Sequence, residues 1–145
     1  MSPLAPAILF LMPLAAIAGG LGSLNQVDLV ELEATTNRAV LVVLLEDDRI
    51  NTRPAYRTLF KKVNNYMEFV QSGQLREVAP NASASLPPKI VIYGPREAST
   101  AEMQNLNGLK LAGQKAGIEV EVLPFRPGLR ERPVPIRPPA PKSGA

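Results

Sequence analysis

Lys62-Val-Asn-Asn-Tyr-Met-Glu-Phe-Val-Gln-Ser-Gly-Gln-Leu75 is the stretch that decides how this chain folds. It continues a pattern that begins upstream, where Tyr56, Leu59, Phe60, Val63, Tyr66, Met67 and Val70 recur at spacings of three and four. That spacing predicts one buried face on a helix of about five turns. Asn51 or Thr52 can cap its start, and Pro54 falls in the first turn, where a missing amide hydrogen costs nothing. Gly73 supplies a left-handed residue for its end. Arg57, Lys61, Lys62, Asn65 and Glu68 fall on the opposite side, toward water.

Strand patterns flank this helix. Val27-Asp-Leu-Val-Glu-Leu32 alternates like a half-buried strand, and after the polar turn Thr35-Thr-Asn-Arg38, Ala39-Val-Leu-Val-Val-Leu-Leu45 reads as a strand buried on both faces. The two form an expected antiparallel hairpin. Downstream, residues 74–88 are rich in Ala, Ser, Asn and Pro and read as a surface connection. Lys89-Ile-Val-Ile-Tyr93 is a third strand, and Ser99-Thr-Ala-Glu102 is a capping box opening a second helix. Its apolar stripe is Met103, Leu106, Leu109, Ala112 and Ala116, with Gly117 as terminator, and Ile118-Glu-Val-Glu-Val-Leu123 alternates as a fourth strand. The expectation is one α+β domain over residues 25–123, ordered strand, strand, helix, strand, helix, strand. Its four-stranded sheet forms two layers with two helices on one side.

Both ends fall outside this pattern. No charged side chain precedes Asp28, and Leu4 to Ala18 is almost wholly apolar. Residues 1–24 therefore have three readings. One is an export signal cleaved near Ala18, although it lacks the positive charge that normally precedes the apolar run. The second is an extension ahead of a true start near Leu24 or Val27, leaving a cytoplasmic protein. The third is a membrane span, for which the run is short and interrupted by Pro13. From Pro124 to Ala145, prolines alternate with basic and small residues, which predicts an extended, disordered tail. Arg126, Arg130, Arg132, Arg137 and Lys142 face only Glu131 there, so the net charge of +3 comes from the tail and the domain is close to neutral. A near-neutral domain argues against nucleic acid as a partner.

The chain has no Cys, His or Trp, which excludes disulfides, thiol nucleophiles, Cys or His zinc sites and imidazole acid-base catalysis. No cofactor fingerprint is present, and no residue is assigned a catalytic role.

The run Lys62–Leu75, with its Asn-x-Tyr-x-x-Phe-x-x-Ser-Gly-Gln-Leu exit, resembles the central helix of a family of small bacterial proteins known only as a domain of unknown function. The resemblance extends to the Val27–Leu29 start, the strand Val40–Leu45 and the unit Lys89–Leu123. It implies a compact mixed domain and brings no catalytic residue, cofactor or substrate. Members of that family begin close to the Val-Asp-Leu strand, which favours the early-start reading of residues 1–24. Their segment after the second strand is acidic and aromatic, whereas Arg49-Ile-Asn-Thr-Arg-Pro54 is basic.

Few residues qualify as site candidates. Glu46, Asp47 and Asp48 close a buried strand, where open sheets often place their sites, and could hold Mg²⁺ or Ca²⁺ through oxygen. A solvated strand exit accounts for them as well, since no second acidic cluster completes a shell. Arg96 lies in the turn before the second helix, a natural place to meet an anion. Tyr66 and Tyr93 are expected in the core, whereas Phe69 falls beside the main stripe and could contact a partner. Pro124-Phe-Arg-Pro127 and Pro135-Ile-Arg-Pro138 fit a loose polyproline-docking pattern, and a solubilising tail fits them equally. The favoured expectation is a non-enzymatic protein-interaction domain of immunity or accessory type. Its rivals are a metal-assisted hydrolase using the acidic strand exit and an exported envelope-associated protein.

Overall fold

Ala39-Val-Leu-Val-Val-Leu44 is apolar on both faces because it lies inside a sheet rather than at its edge. In the computed structural model, which describes residues 20–138, a single 3-10 turn at Gly20–Gly22 precedes the regular elements. These are β1 (Gln26–Val27), β2 (Leu29–Leu32), β3 (Ala39–Leu44), α1 (Arg53–Gln71), α2 (Gln74–Val78) and β4 (Lys89–Tyr93). Then come α3 (Thr100–Asn107), α4 (Leu109–Ala116), β5 (Glu119–Leu123) and β6 (Val134–Pro135). The main sheet has the order β2-β3-β4-β5, with β2 antiparallel to β3 and β3, β4 and β5 mutually parallel. The expected α+β domain with a four-stranded sheet is present. No helix among the described residues is long and apolar enough to cross a membrane.

Sheet order follows chain order, so right-handed crossovers put the helices on one face. The core agrees with this: Leu59, Val63 and Tyr66 of α1, with Leu106 and Leu109, pack in one cluster with Leu41, Val43, Ile90, Ile92, Val120 and Val122. The other face is apolar only at one end, where Leu29, Val40, Val42 and Val91 cluster with Tyr93, Leu123 and Leu129. Toward the start of the parallel strands it becomes a ladder of ion pairs, Arg38 with Glu119 and Lys89 with Glu119 and Glu121.

Four local expectations are corrected. The first strand breaks at Asp28, whose two neighbouring segments join different sheets: β1 pairs with β6, and β2 with β3. The connection after α1 contains the short α2, which Gly73 starts at φ +88°. The second crossover helix is two helices that meet at Gly108. Finally, the segment from Pro124, expected to be disordered, lies along the domain as far as Pro138. Leu129 covers the sheet, Val134 and Pro135 pair with Val27 and Gln26, and Gln74 exchanges hydrogen bonds with the Arg137 backbone at 2.8 and 3.0 Å. Neighbouring elements supply the order that its composition cannot. Of the N-terminal residues 1–24 to which the signal, early-start and span readings apply, 1–19 lie outside those described, as do residues 139–145.

The capping expectations hold. Thr52 Oγ1 accepts from Ala55 N at 3.2 Å, and Ser99 and Glu102 form the reciprocal capping box. Gly117 ends α4 at φ +80°. Gly113 has a different role, since a Cβ there would stand 2.8 Å from the Ile118 carbonyl oxygen and press into the Val120 side chain. Intrinsic propensity favours Ala over Gly in a helix by up to about 1 kcal/mol. Gly113→Ala is nevertheless expected to destabilise the domain by about 1–3 kcal/mol, because α4 must lift from β5. Chemical denaturation midpoints of the two proteins measure this directly.

Candidate functional site

The buried face of helix α1 is displaced to one side of the stripe its apolar pattern suggests. Its buried residues are Leu59, Lys62, Val63, Tyr66, Met67 and Phe69, while Phe60 is 40% exposed. Lys62, placed by the pattern on the wet side, has no exposed surface at all, and Phe69, expected as a partner contact, is 1% exposed in the core. The segment Ser23–Asp28 lies over this flank of the helix and supplies the buried partners of Lys62.

The Lys62 ammonium donates to Asp28 Oδ1 and to the Ser23 carbonyl, both at 2.8 Å, and stands 5.9 Å from the Tyr66 ring centre. Asp28 Oδ2 accepts from Leu44 N at 3.0 Å. The Tyr66 hydroxyl accepts from Asp28 N at 2.9 Å and donates to the Val42 carbonyl at 2.7 Å. Burial, reinforced by the Asp28 charge, holds the Tyr66 phenol well above its ordinary pKa, so it stays a neutral donor. α1, β3 and the strand break at Asp28 are thus joined by one fully buried polar cluster. Among the described residues no buried side-chain polar atom lacks a partner. Around this cluster, burial raises the Asp48 and Glu131 carboxyls, and the charge of Asp28 adds to both shifts.

The three acidic candidates are not brought together. Glu46 pairs with Arg96, Asp47 lies 3.5 Å from the same guanidinium, and Asp48 turns away to accept from Leu21 N at 3.0 Å. Among the described residues no group of three or more potential ligands is placed to hold a metal. The Glu46-Asp47-Asp48 exit thus serves as an anchor for Arg96 and for the N-terminal turn.

Arg96 remains at the surface but is engaged on several sides. It stacks over the Phe125 ring at 4.7 Å, and its carbonyl accepts from Arg49 at 2.8 Å. One of the two proline motifs is therefore held by this arginine, and the other is clamped by Gln74 and by the Arg137–Glu77 ion pair. Tyr93 packs partly buried on the second apolar cluster, as a core reading expects.

Glu102 does more than cap α3. Its Oε1 accepts from Ser99 N and its Oε2 from Ile50 N, both at 3.0 Å, which ties the loop after β3 to the second crossover. The Ser99 amide, then those of Ile50 and the Arg49 charge, lower its carboxyl from the ordinary 4.5.

The buried Asp28–Lys62 pair was the main feature missed from sequence. One signal was available: Leu59, Lys62, Tyr66 and Phe69 themselves recur at three and four. A lysine inside such a row reads as solvated until its partner 34 residues away is placed.

Removing one member of the pair leaves an uncompensated buried charge. Lys62→Met is therefore expected to cost about 3–5 kcal/mol, and Asp28→Leu with Lys62→Met appreciably less than the two single losses added. Urea denaturation of the three variants checks both statements. For Glu102 the folded carboxyl is the stronger acid, so its contribution is complete above the unfolded value and disappears as pH falls through the folded one. Glu102→Gln should consequently flatten the loss of stability on acidification below about pH 4.5, as read by thermal midpoints across pH.

Compared with protein-family models, curated proteins and solved structures, the chain gives no match in any of the three.

Proposed function

We propose that this domain is a non-enzymatic protein-interaction module of the immunity or accessory type, which receives an extended segment of a partner protein along β2. The observation that carries this reading is the apolar groove beside the sheet edge. β2 is a terminal strand of the main sheet, and Val30, Leu32, Val78, Pro80, Arg132 and Val134 line a groove against it. Leu32 is 40% exposed and Val78 46%. The C-terminal strap guards the neighbouring backbone but goes no further, since Arg132 N bonds the Asp28 carbonyl and β6 pairs only with β1. Exposed strand edges are normally blunted by charge, proline or cover, and an uncovered apolar one is suited to strand addition.

A further observation supports binding over catalysis. The carboxylates and cations at the strand exit are committed to one another, whereas the groove residues make contacts that a partner could extend. A photo-crosslinker placed at Leu32 in the native host should yield an adduct with a discrete protein. With that protein purified, Leu32→Glu should weaken binding at least about tenfold, from lost apolar burial and an added charge. Unchanged affinity, or metal-dependent turnover abolished by Asp47→Ala, would overturn the reading.

A further inference from the structure

Away from the β2 groove, the helix layer presents a face that the fold itself leaves unused. Arg53, Arg57 and Lys61 recur every four residues on the outer side of α1, and Lys115 stands on α4, whose Lys110 lines a pocket at the β5 edge with Glu119 and Glu121 instead. Arg53, Arg57, Lys61 and Lys115 are exposed, and none of the four forms an ion pair among the described residues. Across α1, α3 and α4 the one exposed carboxylate is Glu68, because Glu102 is buried. Like charges four apart on a helix oppose its formation, so this stripe brings the domain no stability of its own. The same two helices expose two large apolar side chains, Phe60 of α1 at 40% and Leu111 of α4 at 63%.

The chain entering the domain is tied to the flank of this same helix. Lys62 holds the Ser23 carbonyl, and Asn65 Nδ2 holds that of Leu24 at 2.9 Å. In the sequence, the uncharged apolar run Leu4–Ala18 lies only a few residues earlier. A single short apolar segment attaches a protein to a bilayer weakly, and stable attachment takes a second signal such as a basic surface.

We propose that the outer face of α1 and α4 docks on an anionic lipid surface. Arg53, Arg57, Lys61 and Lys115 meet the headgroups, and Phe60 and Leu111 enter the interface. Charge complementarity calls for an anionic surface, and the exposed Phe60 and Leu111, with the apolar run a few residues earlier in the sequence, favour lipid over an acidic protein as the occupant.

The test uses the full chain with vesicles of phosphatidylcholine alone and of equal parts phosphatidylcholine and phosphatidylglycerol. Attraction of each cation to an anionic surface is enough that reversing two of them should lower affinity for the mixed vesicles at least about tenfold. Arg57→Glu with Lys61→Glu is expected to do so while leaving the thermal midpoint and the binding to neutral vesicles unchanged. Arg126→Glu with Arg130→Glu, on the C-terminal strap, should leave the preference intact. Because the chain has no tryptophan, Phe60→Trp gives a single indole that can be excited apart from the three tyrosines, and its emission should shift to the blue with mixed vesicles. Equal binding to the two vesicle types, a preference abolished by the strap variant, or an unshifted emission would each overturn the proposal. So would charge-dependent capture of polyglutamate in the absence of any vesicle preference, which would point to an acidic protein. The β2 groove plays no part in these measurements, so either proposal can fail alone.

Discussion

An ammonium group cannot be left in a protein interior without a partner, and the architecture of this domain is arranged around that constraint at Lys62. Its charge is met by Asp28, whose second oxygen and backbone amide reach β3 and Tyr66. The strand break at Asp28 follows from this. The residue must turn its side chain inward to the helix, so the segments on either side pair with different strands. The rotation of α1 follows as well, since bringing Lys62 under the N-terminal segment carries Phe69 into the core and moves Phe60 to the surface. Burying such a pair is not a net source of stability compared with apolar residues of similar size. What it supplies here is a unique seating for the first strand.

Much of the framework was legible because it depends on local patterns. The continuous apolar run at Ala39–Leu44, the clean alternation at Glu119–Leu123, the Ser99–Glu102 capping box and the glycine after α1 each encode a structure within a few residues. What was not legible depends on distant partners. Lys62 looks solvated beside Lys61, and nothing nearby in sequence marks Asp28 as its counter-ion. The proline-rich segment has no pattern of its own, and its order comes from Gln74, β1 and the open sheet face. The break at Gly108 was masked by an apolar stripe that continues through it. For the candidate sites the limit was similar: Glu46, Asp47 and Asp48 are adjacent in sequence, yet their side chains diverge to Arg96 and to Leu21.

The molecule divides its surface by chemistry. One sheet edge is apolar beside β2, the helix layer is basic, and the lower sheet face is a mixed ladder of Lys, Arg and Glu. The end of the sheet where open α/β folds usually place their reactive groups is closed by its own ion pairs and by Phe125. This distribution moves attention from the sheet end to the sides.

The pairing of β1 with β6 also fixes where the chain enters and leaves. Gln26 opposes Pro135 and Val27 opposes Val134 in antiparallel register, and Ile136 N reaches back to the Asn25 carbonyl. Incoming and outgoing chain therefore emerge side by side at one end of a two-residue zipper. Tension applied between them would load its hydrogen bonds one after another instead of all at once, so the strap peels away before the four-stranded sheet bears any force.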